Sequence, residues 1–255
     1  MSTLYGSARN SFEEVCTIPV PERTPTYTPV PHGDFIHTVQ AVAGDLLHDH
    51  TLADASYVLA NEGSRMFGVL TWEETSNVIP SELPDHPVAQ TNDTVRMSAA
   101  IRNSYDRSMA AGLGLGGSVM CCSNLMLSGS LATFKFKHTG DVLQRLRTSI
   151  LDALYDARLQ FANTQRDAQR MREITVDDRD VWQLLGLLFG EKTLTSTQFL
   201  QAHRNWTTPP QEAFAGRTAF SAYNACNDAL KSAPPHRALQ SHVQLHQTAR
   251  TFFDL

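Results

Sequence analysis

Cysteine is scarce in this sequence of 255 residues. The four cysteines are Cys16, Cys121, Cys122 and Cys226. They form neither the dense framework of a small disulfide-bonded secreted protein nor a CxxC pair or zinc-ligand spacing. We therefore expect free, buried thiols in a reducing compartment.

Long apolar runs and a secretory signal are also missing. No run approaches the roughly 20 residues that a bilayer-spanning helix needs. Glu13 and Glu14 lie near the N-terminus, where a signal peptide carries an apolar region. Hydrophobic residues make up 42% and charged residues 18% of the chain, which is typical of a globular and not of a disordered protein. We expect a cytoplasmic protein with no membrane contact.

Signatures of catalysis and of bound cofactors are lacking as well. The glycine-rich stretch 112–117 has no Gly-Lys-Ser/Thr ending of a phosphate loop, so close strand packing explains it better. His242 and His246 share a predicted helix face, and residues 48–50 read His-Asp-His, but neither group has an obvious third metal ligand. No nucleophile elbow is present. The sequence predicts no metal, no cofactor and no catalytic residue, and it favours a protein that is not an enzyme.

Charge is distributed unevenly along the chain, whose formal net charge is −5. Residues 1–93 hold 13 acidic and 3 basic side chains, whereas residues 94–147 hold 7 basic and 2 acidic ones. Residues 148–255 are balanced, with 11 of each. A basic middle section in an acidic chain indicates a surface for an anionic partner.

The first half of the sequence predicts an arm followed by β-structure. Residues 1–33 contain five prolines and predict an extended arm, because proline lacks an amide donor and disfavours helix. A first helix is expected over 34–47. A hairpin is expected from 56–60 and 65–72, with turn residues between them. The remaining expected elements are a loop at 76–93 and strands at 95–102, 108–122 and 134–137.

From residue 139 the pattern is helical. One long amphipathic helix is expected to run to Arg172, and further helices begin at capping residues near 175 and 195. Two more helices are expected at 217–231 and 236–252. A β-rich half (55–138) followed by a helical half (139–255) predicts one α+β domain over 34–255, in which an antiparallel β-hairpin sheet packs against the long helix.

Five short motifs, in this order, resemble those of the phage/plasmid-like family called domain of unknown function 932. They are Gly-Ser-Arg-Met-Phe-Gly at 63–68, Asn-Ser-Tyr-Asp-Arg-Ser at 103–108, Val-Met-Cys-Cys-Ser-Asn at 119–124, Lys-His-Thr at 137–139 and Tyr-Asn-Ala-Cys-Asn at 223–227. Tyr105 replaces the histidine usual in the family and Arg107 the usual glycine. The resemblance spans about residues 31–245. It implies a setting in phages, plasmids and integrated elements, and hence a host-cell cytoplasm, but it implies no reaction.

Seven basic residues of the middle section are the candidate nucleic-acid-binding residues. Four of them fall on the polar faces of predicted strands, where a shared sheet would align them into a stripe suited to phosphates. They are Arg96, Arg102, Lys135 and Lys137, and Arg107, Arg145 and Arg147 could extend the stripe. The alternative is a solvated sheet face that pairs with the acidic N-terminal segment of the same or a neighbouring subunit.

Polar residues of the family-like motifs form a second candidate set. This set, the motif polar cluster, comprises Asn103, Ser104, Asp106, Asn124, His138 and Asn224. Asn, Asp and Ser bond their own backbone in sharp turns, which explains much of this composition without a function. The alternative is a cluster that orients a phosphate or a metal.

Three functions are compatible with the sequence. The first is a phage or mobile-element DNA-metabolism protein that binds single-stranded DNA, as an oligomeric annealing or recombination factor. A hairpin sheet backed by a long helix is the general layout of annealing proteins, although fold alone does not give function. The second is a factor that binds and inhibits a host defence or replication protein. The third is an undetected hydrolase built on Asp106, Asn124 and His138, which requires these side chains to lie close together.

Overall fold

The computed structural model describes residues 3–4, 7–74, 95–119, 124–127, 132–134 and 142–255. Its first part consists of two short paired strands, β1 (Thr3–Leu4) and β2 (Ser7–Ala8), and the helices α1 (Phe12–Cys16) and α2 (His32–Leu46). Ser11 starts α1 by accepting a hydrogen bond from the amide of Glu14. Val15 of this helix is buried against the core, so part of the segment expected to be an arm is folded onto the sheet.

An antiparallel sheet forms the centre of the molecule. Its strands are β3 (His50–Ala60), β4 (Arg65–Glu74), β5 (Val95–Ser104), β6 (Ala111–Val119), β7 (Asn124–Met126) and β8 (Ala132–Phe134). The strands from β3 to β7 are neighbours in chain order, and β8 pairs with the other end of β6. Three successive residues with positive φ, Asn61, Glu62 and Gly63, turn the chain from β3 into β4.

Helices make up the second part of the chain. They are α3 (Val142–Tyr155), α4 (Ala157–Glu173), α5 (Asp178–Gly190), α6 (Ser196–Thr207), α7 (Ala219–Leu230) and α8 (Pro235–Phe253), with a 3-10 turn at Glu212–Phe214. The α+β prediction is confirmed. Among the residues that the structure describes, none of the helices combines the length and apolarity needed to cross a membrane.

The long helix expected to end at Arg172 is two helices, α3 and α4, separated at Asp156. Asp156 has φ −90° and ψ 8°, away from helical values, so the hydrogen-bond ladder stops there. The start of α4 packs in the same hydrophobic cluster as α3, through Ala157, but the end of α4 packs in another. Leu146 and Ile150 of α3 pack with α2 on one face of the sheet, whereas Met171 of α4 packs among α5–α8.

Both faces of the sheet are covered, which the alternating pattern of β5 did not indicate. The first face carries Met97 and Ile101 and packs against α2 and α3. The second face carries Ala100, which packs against Leu239 and Val243 of α8. The face expected to be solvated is therefore largely inside the protein, and only its ends reach the surface.

Three hydroxyl groups on this second face form a ladder of hydrogen bonds with one another. The Ser98 hydroxyl lies 3.0 Å from the Thr71 hydroxyl of β4 and donates to the Ser118 hydroxyl of β6 at 3.0 Å. All three side chains are buried. The ladder supplies the hydrogen bonds that buried hydroxyl groups need, so it explains the polar residues in the middle of β5 without a ligand.

Candidate anion-binding cleft

Arg102 lies on the second face of the sheet, close to the C-terminal end of β5. Its neighbours in register are Phe67 on β4 and Gly112 on β6. Because Gly112 has no side chain, the long stem of Arg102 can lie across the sheet surface at this point. The side chain is partly buried, and this burial lowers the pKa of its guanidinium.

The guanidinium of Arg102 has no counter-ion among the described residues. Its Nε atom is buried and donates no hydrogen bond, and no carboxylate of the described chain forms an ion pair with it. A desolvated cation with unused donors is unfavourable unless an anion supplies the missing partner. Arg102 differs in this respect from Arg96, Arg107 and Arg147, which contact a carboxylate or an aromatic ring.

A cleft of about 450 Å³ opens in front of Arg102. Its other walls are the end of α5 and one side of α8, which contribute Glu191, Lys192, Thr193, Arg237, Gln240, Ser241 and Gln244. Three of the lining side chains are cationic and one is anionic, and the remainder are hydrogen-bonding groups. This combination suits a small anionic group.

The α5 wall is built by a reversal of the chain at Lys192. This residue has a φ of 61°, and the amide that follows it bonds back to the carbonyl of Leu188. The reversal directs the Lys192 carbonyl toward α8, where it accepts a hydrogen bond of 2.9 Å from Arg237 Nη2. A hydrogen bond thus joins the two walls of the cleft.

The α8 wall follows from helical spacing. Arg237, Gln240, Ser241 and Gln244 recur at intervals of three and four residues, so they share one face of the helix. Pro234 and Pro235 start α8 just before this face, because proline is accepted in the first turn. The opposite face of α8 is the apolar one that packs on the sheet.

Thr193 and Glu191 differ in how they are satisfied. Thr193 is 4% exposed, and its buried hydroxyl has no hydrogen-bond partner in the described protein. The Glu191 carboxylate accepts hydrogen bonds from the Thr248 hydroxyl at 2.6 Å and from Gln244 Nε2 at 3.4 Å. The carboxylate is thus already engaged, whereas no group of the described protein bonds the hydroxyl.

Two other predicted basic residues are already paired. Arg96 lies on the same face of β5 as Arg102, about 20 Å away along the strand, and its Nη1 is 2.5 Å from Glu73 Oε1. Arg147 of α3 is 2.8 Å from Asp45 of α2. Arg147 lies on the opposite face of the sheet and Arg96 is neutralised by Glu73, so these residues do not form one basic stripe with Arg102.

The remaining basic candidates are dispersed. Arg107 has its guanidinium carbon 4.4 Å from the centre of the Tyr27 ring. Arg145 is exposed on α3. Lys135 and Lys137 lie outside the described residues. Of the five candidates that the structure describes, Arg102 is the one that lines this cleft with further cations.

The end of β5 and the turn after it hold three members of the motif polar cluster, Asn103, Ser104 and Asp106. Asp106 accepts hydrogen bonds from Arg65 Nε at 2.6 Å, Asn61 Nδ2 at 3.1 Å and the amide of Ser108 at 3.0 Å. Burial opposes ionisation, but the hydrogen bonds from Ser108 and Arg65 prevail and lower the pKa of Asp106 to about 2. The Ser104 hydroxyl donates to the carbonyl of Met109. These contacts fix the turn.

Asn103 belongs to a buried contact between this turn and the segment before α2. Its Nδ2 donates to the Val30 carbonyl at 2.8 Å and to His32 Nδ1 at 3.0 Å, so His32 Nε2 carries the proton that is donated to the Gly63 carbonyl. The Tyr105 ring stacks on His32 with a centroid distance of 3.8 Å. Burial lowers the pKa of His32 to about 4 and keeps it neutral.

Two further members of the cluster join the sheet to the helices. Asn124 Nδ2 donates to Asn224 Oδ1 at 2.9 Å, and Asn224 Nδ2 donates to the Phe220 carbonyl at 2.9 Å. Asn227 Nδ2 donates to the Leu125 carbonyl at 2.7 Å. These buried amides fasten β7 to α7.

The residues of the hydrolase hypothesis do not come together. Asn124 pairs with Val119, which pairs with Val95 at the start of β5, whereas Asp106 follows the end of that strand. The nine residue steps of β5 separate the two side chains by about 30 Å. His138 lies outside the described residues. Asp106 and Asn124 therefore cannot share one acid–base centre.

The family model described as Domain of unknown function (DUF932) matches residues 21–250. The chain belongs to this family. Neither the curated proteins nor the solved structures that were compared match the chain. All the residues that line the cleft fall inside the segment matched by the DUF932 model.

The motifs that resemble those of the DUF932 family have mainly structural contacts in this chain. The turn at 103–108 holds the segment before α2, and the motif at 223–227 holds β7. Tyr105, one of the two residues that depart from the family resemblance, completes this packing through its stack on His32. The cleft lies apart from these motifs, which is why they did not reveal it.

The two histidines weighed as metal ligands are both buried in α8. His246 contacts Asp167 through Nε2 at 3.1 Å and the Tyr223 hydroxyl through Nδ1 at 3.4 Å. Burial lowers the pKa of His242 to about 3. In the part of the chain that the structure describes, no group of three or more His, Cys, Asp or Glu residues could hold a metal ion.

Proposed function

We propose that this protein binds single-stranded nucleic acid and that the cleft at Arg102 holds one of its phosphate groups. The observation that carries the proposal is the unpaired, partly buried guanidinium of Arg102, which faces a cleft with two further cations. We assign this binding to the DNA metabolism of a phage or mobile element in the host cytoplasm, the setting that the family resemblance implies.

Phosphate is the anion that best fits this cleft. Arginine presents several donors in a planar fork that matches two phosphate oxygens, and such charge-assisted bonds are stronger than neutral ones. Lys192 and Arg237 add positive charge, and the hydroxyl and amide groups of α8 can accept or donate around the same group. Contacts with phosphates do not read sequence, so we expect little base preference.

The test is the binding of fluorescently labelled oligo(dT), followed by anisotropy at about 50 mM salt, where phosphate contacts are strong. We expect Arg102→Gln to weaken binding about 10- to 100-fold, because a charge-assisted hydrogen bond contributes roughly 1.5–3 kcal/mol. The slope of log affinity against log salt should fall by about 0.7 for the lost phosphate contact.

Arg147→Gln is the matched control, since Arg147 is a cation of the same predicted set, paired with Asp45 on the far layer of the molecule. It should bind like the wild-type protein. Absence of binding by the wild-type protein at this low salt would overturn the proposal. An equal loss in both variants would overturn the assignment to the cleft.

A further inference from the structure

We infer that the group held by the cleft is a phosphomonoester, a phosphate with a single organic substituent, and not the phosphodiester of a strand interior. For nucleic acid such a group is the phosphorylated end of a strand, and in that form the inference rests on the proposed function. The chemistry is the same in a free mononucleotide or another small phosphate ester. Charge, donors and shape at the cleft support the inference.

The charge of the cleft matches a dianion better than a monoanion. Arg102, Lys192 and Arg237 contribute three positive charges, and Glu191 contributes one negative charge. The Glu191 carboxylate is turned to Thr248 and Gln244, which already hydrogen-bond it. A phosphomonoester carries about 1.5 to 2 negative charges at neutral pH, whereas a diester carries one.

The two unused donors of the cleft can both be satisfied by one phosphomonoester. The Nε of Arg102 and the hydroxyl of Thr193 are both buried without a partner in the described protein, and both residues line the cleft. A phosphomonoester offers three terminal oxygens that accept hydrogen bonds. Two of these oxygens can accept hydrogen bonds from the guanidinium of Arg102, and the third can accept one from the hydroxyl of Thr193.

The depth of these donors favours a chain end. Thr193 lines the cleft and is 4% exposed, so its hydroxyl lies below the protein surface and away from a strand that passes over the cleft. A diester in a strand interior must enter and leave with a nucleotide on each side. A monoester needs room for one substituent, and a cleft of about 450 Å³ has the size of a small-ligand site.

The experiment compares two oligo(dT) strands of equal length, one with a 5′-phosphate and one with a 5′-hydroxyl, on the full-length protein. We expect the phosphorylated strand to bind at least about 10-fold more tightly, the difference of one charge-assisted contact. Thymidine monophosphate and thymidine, followed by calorimetry, form the second arm, in which the phosphate ester alone should bind.

Two variants assign the preference to the cleft. Arg102→Gln should abolish the preference for the phosphorylated strand, so that both strands bind about equally. Thr193→Val should make this preference about three- to tenfold smaller, the loss expected for one hydrogen bond. Thr193→Val replaces a hydroxyl that has no partner in the fold, so the variant should fold like the wild-type protein. Arg147→Gln is the control and should keep the full preference.

The outcomes separate this inference from the proposed function. Equal, Arg102-dependent binding of both strands overturns the inference and leaves strand binding standing. Binding of thymidine monophosphate alone, again dependent on Arg102, supports the inference with a small phosphate ester as the source and overturns the proposed function. A preference that survives in Arg102→Gln, or no binding of either phosphorylated probe, overturns the inference.

Discussion

Replacement of Arg102 by methionine should stabilise the fold while it removes the proposed phosphate contact. Methionine keeps the length of the stem that lies across the sheet but has no charge and no donor. The wild-type protein buries Nε without a partner, and an unsatisfied buried donor costs about 1–3 kcal/mol. Since the guanidinium is only partly buried, we expect the lower part of this range, a gain of about 1–2 kcal/mol in the free energy of unfolding.

The assay is thermal unfolding in a phosphate-free buffer. For a chain of 255 residues, this gain corresponds to a rise in Tm of about 2–6 °C. Inorganic phosphate should raise the Tm of the wild-type protein, because a ligand that binds the folded state stabilises it. The difference in Tm between Arg102→Met and the wild-type protein should therefore become smaller. A phosphate effect of equal size in the variant would contradict a phosphate site at Arg102.

Arg96→Met is the matched control for stability. Arg96 lies on the same face of the same strand but is paired with Glu73, so its loss should leave Tm unchanged or lower it slightly. If Arg102→Met lowers Tm by more than Arg96→Met does, Arg102 is a structural residue and the reasoning from its unpaired state is wrong.

Three further changes test the contacts that build the fold. Gly116→Ala should destabilise the protein by about 3 kcal/mol or more in urea unfolding, because a Cβ there would lie 1.8 Å from the Met126 carbonyl oxygen. A urea midpoint equal to that of the wild-type protein would refute the close approach of β7 to Gly116. Asn224→Ala should cost about 2 kcal/mol in the same assay, since it removes Oδ1, the closer of the two acceptors of Asn124 Nδ2, and a loss below about 0.5 kcal/mol would contradict this. The pKa of His32 is lowered to about 4 in the folded protein, so as pH falls the unfolded chain takes up a proton at a higher pH than the folded one, and stability present above pH 6.5 should be lost as pH falls to about 4. His32→Gln should remove about 3 kcal/mol of that loss. Parallel curves of unfolding free energy against pH for the two proteins would argue against it.

Local signals allowed the element types to be predicted. Helices α5 and α6 begin directly after Asp177 and Thr195, whose side chains accept hydrogen bonds from the backbone of the first turn. The hairpin of β3 and β4 follows from alternation and turn residues. Such features depend on a few neighbouring residues, so a single sequence contains them.

The burial of the second sheet face depends on contacts distant in the chain. Arg96, Ser98 and Arg102 alternate with apolar residues, which is typical of a half-solvated strand. The structure instead covers the middle of that face with α8 and leaves Ser98 in a hydroxyl ladder. The break at Asp156 has the same origin, because it is set by the different cores of α3 and the end of α4.

Of the residues that line the cleft, the sequence allowed one to be predicted as a binding residue. Arg102 was expected to bind an anion, because it lies in the basic section of the chain, and this stays a prediction. Its cleft partners Lys192, Thr193 and Arg237 come from about 90 or more positions later in the sequence, in a charge-balanced region. The polar spacing of Arg237, Gln240 and Gln244 after two prolines was the available signal, but it is equally typical of a solvated helix face.

The contact of the N-terminal segment with β3 bears on aggregation. Strand β3 is an edge of the sheet, and free edge groups are a template on which another chain can add a strand. Asn10 occupies part of that edge, since its amide donates to the Tyr57 carbonyl and its side chain accepts from the Leu59 amide. Asn10 therefore protects the part of the edge around Tyr57 and Leu59 from pairing with another copy, and loss of this contact would favour aggregation while it left the core intact.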